Sequence, residues 1–198
     1  MSNQLLTIIF LALISFCHSQ YISRGQCSDR DRMNVNTVDN FSFERLSGNE
    51  AVWYPVISYA NNGDCQRVYF TVWGALPLST EMDHLWKNVS SGVWHRRQGR
   101  VIWDESYYPY GLAVLRVEYP DAADVMVYRV IGLEDDEFAI FYRCVNVNRR
   151  NRQEFLHVLS RNPSFTSEQQ ARVNQFLRAR NLNRAKVNLL QDPEICSS

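Results

Sequence analysis

Glu154-Phe-Leu-His-Val-Leu-Ser-Arg161 runs through Asn162-Pro163 into Thr166-Ser-Glu-Gln169 and on to Leu182, and this stretch reads as a strand delivered directly into a helix. In the first half Phe155, His157, Leu159 and Arg161 fall on one face and Leu156, Val158 and Ser160 on the other, the period of two that belongs to a strand. Pro163 has no amide to give a ladder and biases Asn162 away from helical geometry. Beyond it, the Thr166 hydroxyl can cap orphan amides while Gln169 reaches back. Ala171, Val173, Phe176 and Leu177 form an apolar stripe at helical spacing. The spacing predicts one amphipathic helix over about 166–180, flanking whatever the strands enclose.

Upstream the chain is strand-like. Short aromatic and β-branched runs cover Trp53–Tyr59, Arg67–Trp73, Leu112–Tyr119, Val125–Ile131 and Phe138–Val145, each closed by turn residues such as Asn61-Asn-Gly63 or Pro120-Asp121. Residues 84–103 read as less regular, broken at Gly92 and Gly99. Successive strands with no helix between them predict an antiparallel meander, and one of this many strands avoids exposed edges by closing on itself. Alternation with charge suggests an inside: Leu115, Val117 and Tyr119 against Arg116 and Glu118; Met126, Tyr128 and Val130 against Arg129; Phe138, Ile140 and Tyr142 against Arg143. Val125, Val127 and Phe141 then fall on an outer face, as a covering helix would require.

Leu5 to Phe16 is an unbroken apolar or small run followed by Cys17-His-Ser19, so residues 1–19 are expected to be a secretory leader. The run is too short to span a bilayer, and no second one follows. What remains, residues 20–198, suits a single domain. Twenty-one basic and 21 acidic residues balance, which leaves no electrostatic footprint for nucleic acid. Arg149-Arg-Asn-Arg152 is read as a solvated hairpin, and Glu134-Asp-Asp-Glu137 as a turn, since it lacks the spacing of a calcium loop. Cys27, Cys65, Cys144 and Cys196 are an even set for an oxidising compartment and allow three pairings. His84, His95 and His157 are scattered and no Cys-x-x-Cys occurs, so no metal site is expected. Asn40-Phe-Ser42 and Asn88-Val-Ser90 are sequons, which makes Asn40 and Asn88 candidate glycosylation sites.

Asn40-Phe-Ser-Phe-Glu-Arg-Leu-Ser-Gly48 leading to Ala51-Val-Trp-Tyr54, Phe138-Ala-Ile-Phe-Tyr-Arg-Cys144, and Leu159-Ser-Arg-Asn-Pro163 before a helix together resemble a lipocalin of the apolipoprotein D and insect bilin-binding type. The resemblance covers about residues 25–196. It implies a mainly β fold, an eight-stranded antiparallel up-and-down barrel with one C-terminal flanking helix. It also implies disulfides Cys27–Cys144 and Cys65–Cys196, and Trp53 plugging the closed end with Arg161 across its ring. Two motifs depart from the family pattern. Its Gly-x-Trp is Ala51-Val-Trp53 here, and its Thr-Asp-Tyr turn is Leu133-Glu-Asp135.

Aligned through the cysteines and Leu159-Ser-Arg-Asn-Pro163, the resemblance places Phe70, Leu115, Val117, Tyr119, Tyr128, Ile140, Phe155, His157 and Leu159 inward. Such a wall suits one small hydrophobic ligand, a lipid, sterol, retinoid or tetrapyrrole or carotenoid pigment, with His157 as a polar contact. Charged ligands are expected to bind poorly. The expected function is a secreted, extracellular carrier or scavenger that needs no cofactor. A filled barrel serving as an interaction scaffold is the alternative. Enzyme activity is a distant third, for there is no Gly-x-Ser-x-Gly and, with four cysteines paired, no free thiol. A cell-surface receptor and self-association are the partners the residues leave open.

Overall fold

The first described strand lies on the outside of the sheet that the later strands build. In the computed structural model, which describes residues 21–31, 35–39, 41–47, 52–60, 63–72, 78–88, 90–104, 106–107, 111–134 and 137–196, β1 (Tyr21–Arg24), α1 (Cys27–Asp31) and α2 (Phe43–Ser47) come first. The leader at 1–19, Asn40, Gly48 and Ala51 lie outside the described residues. Eight strands follow: β2 (Tyr54–Ser58), β3 (Asp64–Val72), β4 (Ser79–Asn88), β5 (Val93–Trp103), β6 (Val114–Glu118), β7 (Met126–Glu134), β8 (Phe138–Asn146) and β9 (Asn151–Ser160). The helix α3 (Ser167–Ala179), the short β10 (Val187–Asn188) and α4 (Pro193–Cys196) complete the described elements.

Every consecutive pair from β3 to β9 is antiparallel, and β9 returns to β2. The ring closes where Trp53 and Val68 exchange both backbone hydrogen bonds at 2.8 Å. β1 adds to β9 and β10 to β2 on the outside of this up-and-down barrel. In such a meander the connections after β2, β4, β6 and β8 fall at one end and those after β3, β5 and β7 at the other. The helix α2 packs at the second end, where Trp103, Leu133 and Arg161 also finish their strands.

The strand-to-helix junction forms as its residues dictate. Thr166 Oγ1 accepts from Gln169 N at 3.2 Å and Gln169 Oε1 accepts from Thr166 N at 3.0 Å, the reciprocal cap. After Ala179 the helix is stopped by Asn181 in the left-handed region (φ 53°), which turns Leu182 N back to Leu177 O at 2.8 Å. Val173 and Leu177 are fully buried against Ile57, Ile131, Ile140, Tyr142, Leu156 and Val158, whereas Ala171, expected in the stripe, is exposed. Burying each of the two aliphatic side chains stabilises by about 1.5–3 kcal/mol. Arg172 ties the helix to Glu134 and Glu137, the two ends of the acidic run, which are joined by Glu137 N donating to Glu134 O at 3.0 Å.

Two strand expectations need correction. Residues 79–103 form a long hairpin, β4–β5, rather than an irregular stretch. Its period was hidden because toward the open end both faces carry polar or charged groups: His84, His95 and Arg97 on one side, Asp83, Lys87 and Arg96 on the other. In β8 the faces are the reverse of those expected. Phe138, Ile140 and Tyr142 lie outward beneath α3, while Ala139 and Phe141 point into the barrel. Ile140 is therefore not a wall residue. A bulge puts Ile131 and Gly132 opposite Ile140, and a β-carbon on Gly132 would meet the Ile140 side chain at 3.1 Å.

Arg149 and Arg150 sit in an exposed hairpin, but Arg152 is buried beside Glu154. The disulfides are Cys27–Cys144 and Cys65–Cys196. No helix among the described residues is long and apolar enough to cross a membrane.

Candidate ligand cavity

The floor is built around Trp53, which is fully buried. Its indole Nε1 donates to Leu46 O at 2.6 Å, fastening α2 across the barrel end. The Arg161 guanidinium covers the ring and also donates to Leu46 O at 3.3 Å. Phe41 and Phe43 pack edge-on against Trp103 and complete the seal.

Above this floor lies a cavity of about 110 Å³ lined by Pro55, Gln66, Val68, Phe70, Met82, His84, Val101, Val117, Tyr119, Met126, Tyr128, Phe141, His157 and Leu159. Of the residues expected inward, Phe70, Val117, Tyr119, Tyr128, His157 and Leu159 line it. Leu115 points inward but lies in the closed core with Val130 and Ala139. Phe155 stands on the inner face one rung nearer the open end, half-buried under the Arg143 guanidinium at 4.7 Å. Ile140 is on the other face of its strand.

Pro55, Gln66, Val68, Met82, His84, Val101 and Phe141 were not anticipated as wall residues, and Met126 was read as inward without being named in the ligand set. Met126 was legible from its alternation with Tyr128, and Phe141 was lost to the reversed face of β8. Met82 and His84 needed β4 to be read as a strand. Gly99 keeps the β5 wall close: an added β-carbon would lie 2.9 Å from the Tyr119 ring.

The polar groups in the wall are few and neutral. The Gln66 amide nitrogen donates to Gly63 O at 2.8 Å, which orients its oxygen toward His84 Nε2 at 3.1 Å, so His84 carries its proton on Nε2. His157 Nδ1 is 3.5 Å from Ser58 Oγ, and its ring packs 5.9 Å from that of Tyr128. Burial pushes the pKa of both imidazoles down to about 4, and for His84 the facing His157 and Arg97 add to the effect. Burial likewise pushes Tyr119 up to about 12. The interior at neutral pH is thus an apolar volume with uncharged hydrogen-bonding points.

Toward the mouth the wall changes character. Trp86 packs between His84 and His95, at 5.2 and 5.4 Å between ring centres. Arg97 lies 3.8 Å over the Tyr119 ring and donates to Asp121 at 2.9 Å. Asn88 is exposed at the tip of β4–β5, its side chain accepting from Ser90 N and Ser91 N. No group of three or more His, Cys, Asp or Glu side chains among the described residues is arranged to hold a metal ion.

The chain is 24% identical to the bilin-binding protein of Pieris brassicae over 86% of its own length and 85% of that protein's. Of the two types named in the resemblance, this similarity supports the insect bilin-binding one. Insecticyanin from the tobacco hornworm Manduca sexta superposes with a TM-score of 0.69 at 14% identity, over 81% of this chain and 86% of that one. H1 crustacyanin from the lobster Homarus americanus does so with a TM-score of 0.67 at 15% identity, over 88% and 92%. No family model matches the chain.

Proposed function

The chain has the lipocalin fold, and on that premise we propose that it is an extracellular carrier or scavenger holding one small hydrophobic molecule inside the barrel. The observation that carries the reading is the sealed-floor cavity whose wall is apolar except for Gln66, two neutral histidines and the phenols of Tyr119 and Tyr128. Removing an apolar ligand from water into such a space is favourable at about 25 cal/mol per Å² buried, and the few hydrogen-bonding points orient it. The bilin in the name of the Pieris relative supports the tetrapyrrole among the candidate ligands. A volume of about 110 Å³ favours a slender molecule, because ligand pockets usually begin near ~300 Å³. Larger ligands would need the flexible Met82 and Met126 side chains to swing aside.

Secretion by the 1–19 leader, glycans at Asn40 and Asn88, and the described cysteines paired in two disulfides fit one extracellular setting. Binding without catalysis is the matching reading of the interior. Ser58 is the hydroxyl beside His157, but among the described residues no carboxylate contacts that imidazole to orient it as a base. The small volume favours one second reading, a filled barrel serving as a scaffold. Native mass spectrometry of the full chain expressed in a secretory host separates the two. A carrier shows a population heavier by one extractable hydrophobic molecule, and a scaffold shows bare protein that takes up no member of a hydrophobic panel.

A further inference from the structure

Arg143 stands on the wrong face for a solvated charge. Phe141 and His157 are register partners that both line the cavity, and the next rung along the same faces is Arg143 opposite Phe155. Two residues along a strand is about 7 Å, so Arg143 sits on the inner wall immediately above the cavity, toward the open end. Its guanidinium carbon lies over the Phe155 ring, 4.7 Å from the ring centre, and the group interacts with the Tyr128 phenol, itself a wall residue in ring contact with His157.

The other inward arginine at this level, Arg97, is neutralised by Asp121. Among the described residues no carboxylate lies within salt-bridge distance of Arg143. A guanidinium offers five donors in a planar fork that fits a carboxylate, and contact with the Phe155 ring uses up none of them. Because Arg143 can donate only to the phenol oxygen of Tyr128, the phenol's own proton stays available to a ligand oxygen.

We propose that the carried molecule is an apolar anion: its chain fills the cavity and its carboxylate is held at the mouth by Arg143, with Tyr128 as a second donor. The inference rests on the carrier reading, sharpens it to a ligand class, and replaces the expectation that charged ligands bind poorly. That expectation rested on an apolar and aromatic inward set from which Arg143, read as outward, was missing.

The test is a matched pair, dodecanoate and dodecan-1-ol, titrated at pH 7.5 into protein expressed from the full chain in a secretory host and followed by tryptophan fluorescence. Dodecanoate should bind at least about tenfold more tightly, the increment of one charge-assisted hydrogen bond. Arg143→Met should bring the two affinities within about twofold while dodecanol affinity stays as in the wild type, and Arg143→Lys should keep part of the preference. Equal wild-type affinities overturn the proposal without needing any variant. So does a preference that survives in a folded Arg143→Met protein. Saturable dodecanol binding with no gain for dodecanoate leaves the carrier reading standing and removes only the anion site, whereas binding of neither removes both.

Discussion

The Arg161 guanidinium carbon stands 3.7 Å from the centre of the Trp53 ring, and the same side chain donates to the Arg45 and Leu46 carbonyls. One residue from the end of β9 thus clamps the first residue of the barrel and the helix that closes it. Neither contact reaches the cavity. Arg161→Ala should lower stability by about 1–2 kcal/mol, the worth of a partly desolvated cation–π contact. Urea midpoints check this, and ligand affinity of the folded variant should be unchanged; lost affinity at unaltered stability would reassign Arg161 to the site.

Glu154 is fully buried and meets Arg30, Arg152, Ser23 and the Tyr142 hydroxyl, which joins β1 and α1 to β9. Burial raises its pKa, but the hydrogen bonds from Arg30, Ser23 and Tyr142 outweigh burial and hold it below the ordinary value. A depressed carboxylate stabilises the fold above its unfolded pKa, so this contribution is lost as pH falls below about 4. Glu154→Gln takes from Arg30 and Arg152 the fully buried carboxylate they share and should cost about 3–5 kcal/mol at pH 7, measured as a lower urea midpoint. A shift below 1 kcal/mol would show that solvent reaches the network.

What could be read from the residues depended on whether one physical signal dominated. The β9–α3 junction was legible because Pro163, the Thr166 cap and the Val173–Leu177 spacing all point the same way. β8 was not, since α3 covers its outer face and makes both faces apolar. Charge then became the tie-breaker, and Arg143 is a charge that faces in. The hairpin β4–β5 escaped because its open-end half is polar on both sides, which concealed His84 and Met82 from the expected wall. Glu154 carried no signal at all. Two of its partners, Arg30 and Ser23, come from segments more than 100 residues away, brought there by β1 pairing and the Cys27–Cys144 bridge.

His84 and His157 set an acid limit. Both folded pKa values, near 4, lie below the unfolded value of about 6.5, so the unfolded chain binds more protons in between. Stability should therefore be full above pH 6.5 and fall by up to about 1.4 kcal/mol per pH unit for each histidine as pH drops toward 4. Urea midpoints at pH 7.5 and 4.5 check this. The double variant His84→Gln, His157→Gln should lose much less between the two pH values than the wild type, and an equal loss would mean the imidazoles are hydrated.

Cys65–Cys196 closes a separation of 131 residues and carries the tail that runs from α3 past β10. Replacing both cysteines by serine should cost about 2–4 kcal/mol, chiefly by freeing the unfolded chain. Denaturation of the variant against wild type measures it, and an unchanged midpoint would show that Lys87 Nζ to Ile195 O, at 2.9 Å, and its neighbours hold the tail alone.

The most direct measurement of the carrier account is the stoichiometry and location of binding in one experiment. Val117 lines the cavity, is 7% exposed and belongs to the central part of the wall, so Val117→Trp fills the space without adding charge. Isothermal titration of a ligand from the hydrophobic panel into the full-chain protein should give one site per molecule with a micromolar or tighter dissociation constant. A Val117→Trp protein with unchanged far-ultraviolet circular dichroism should bind at least about 100-fold more weakly, since a blocked cavity forfeits the apolar burial that drives association. No saturation by any panel ligand, or equal binding by the filled variant, would place the function somewhere other than the interior.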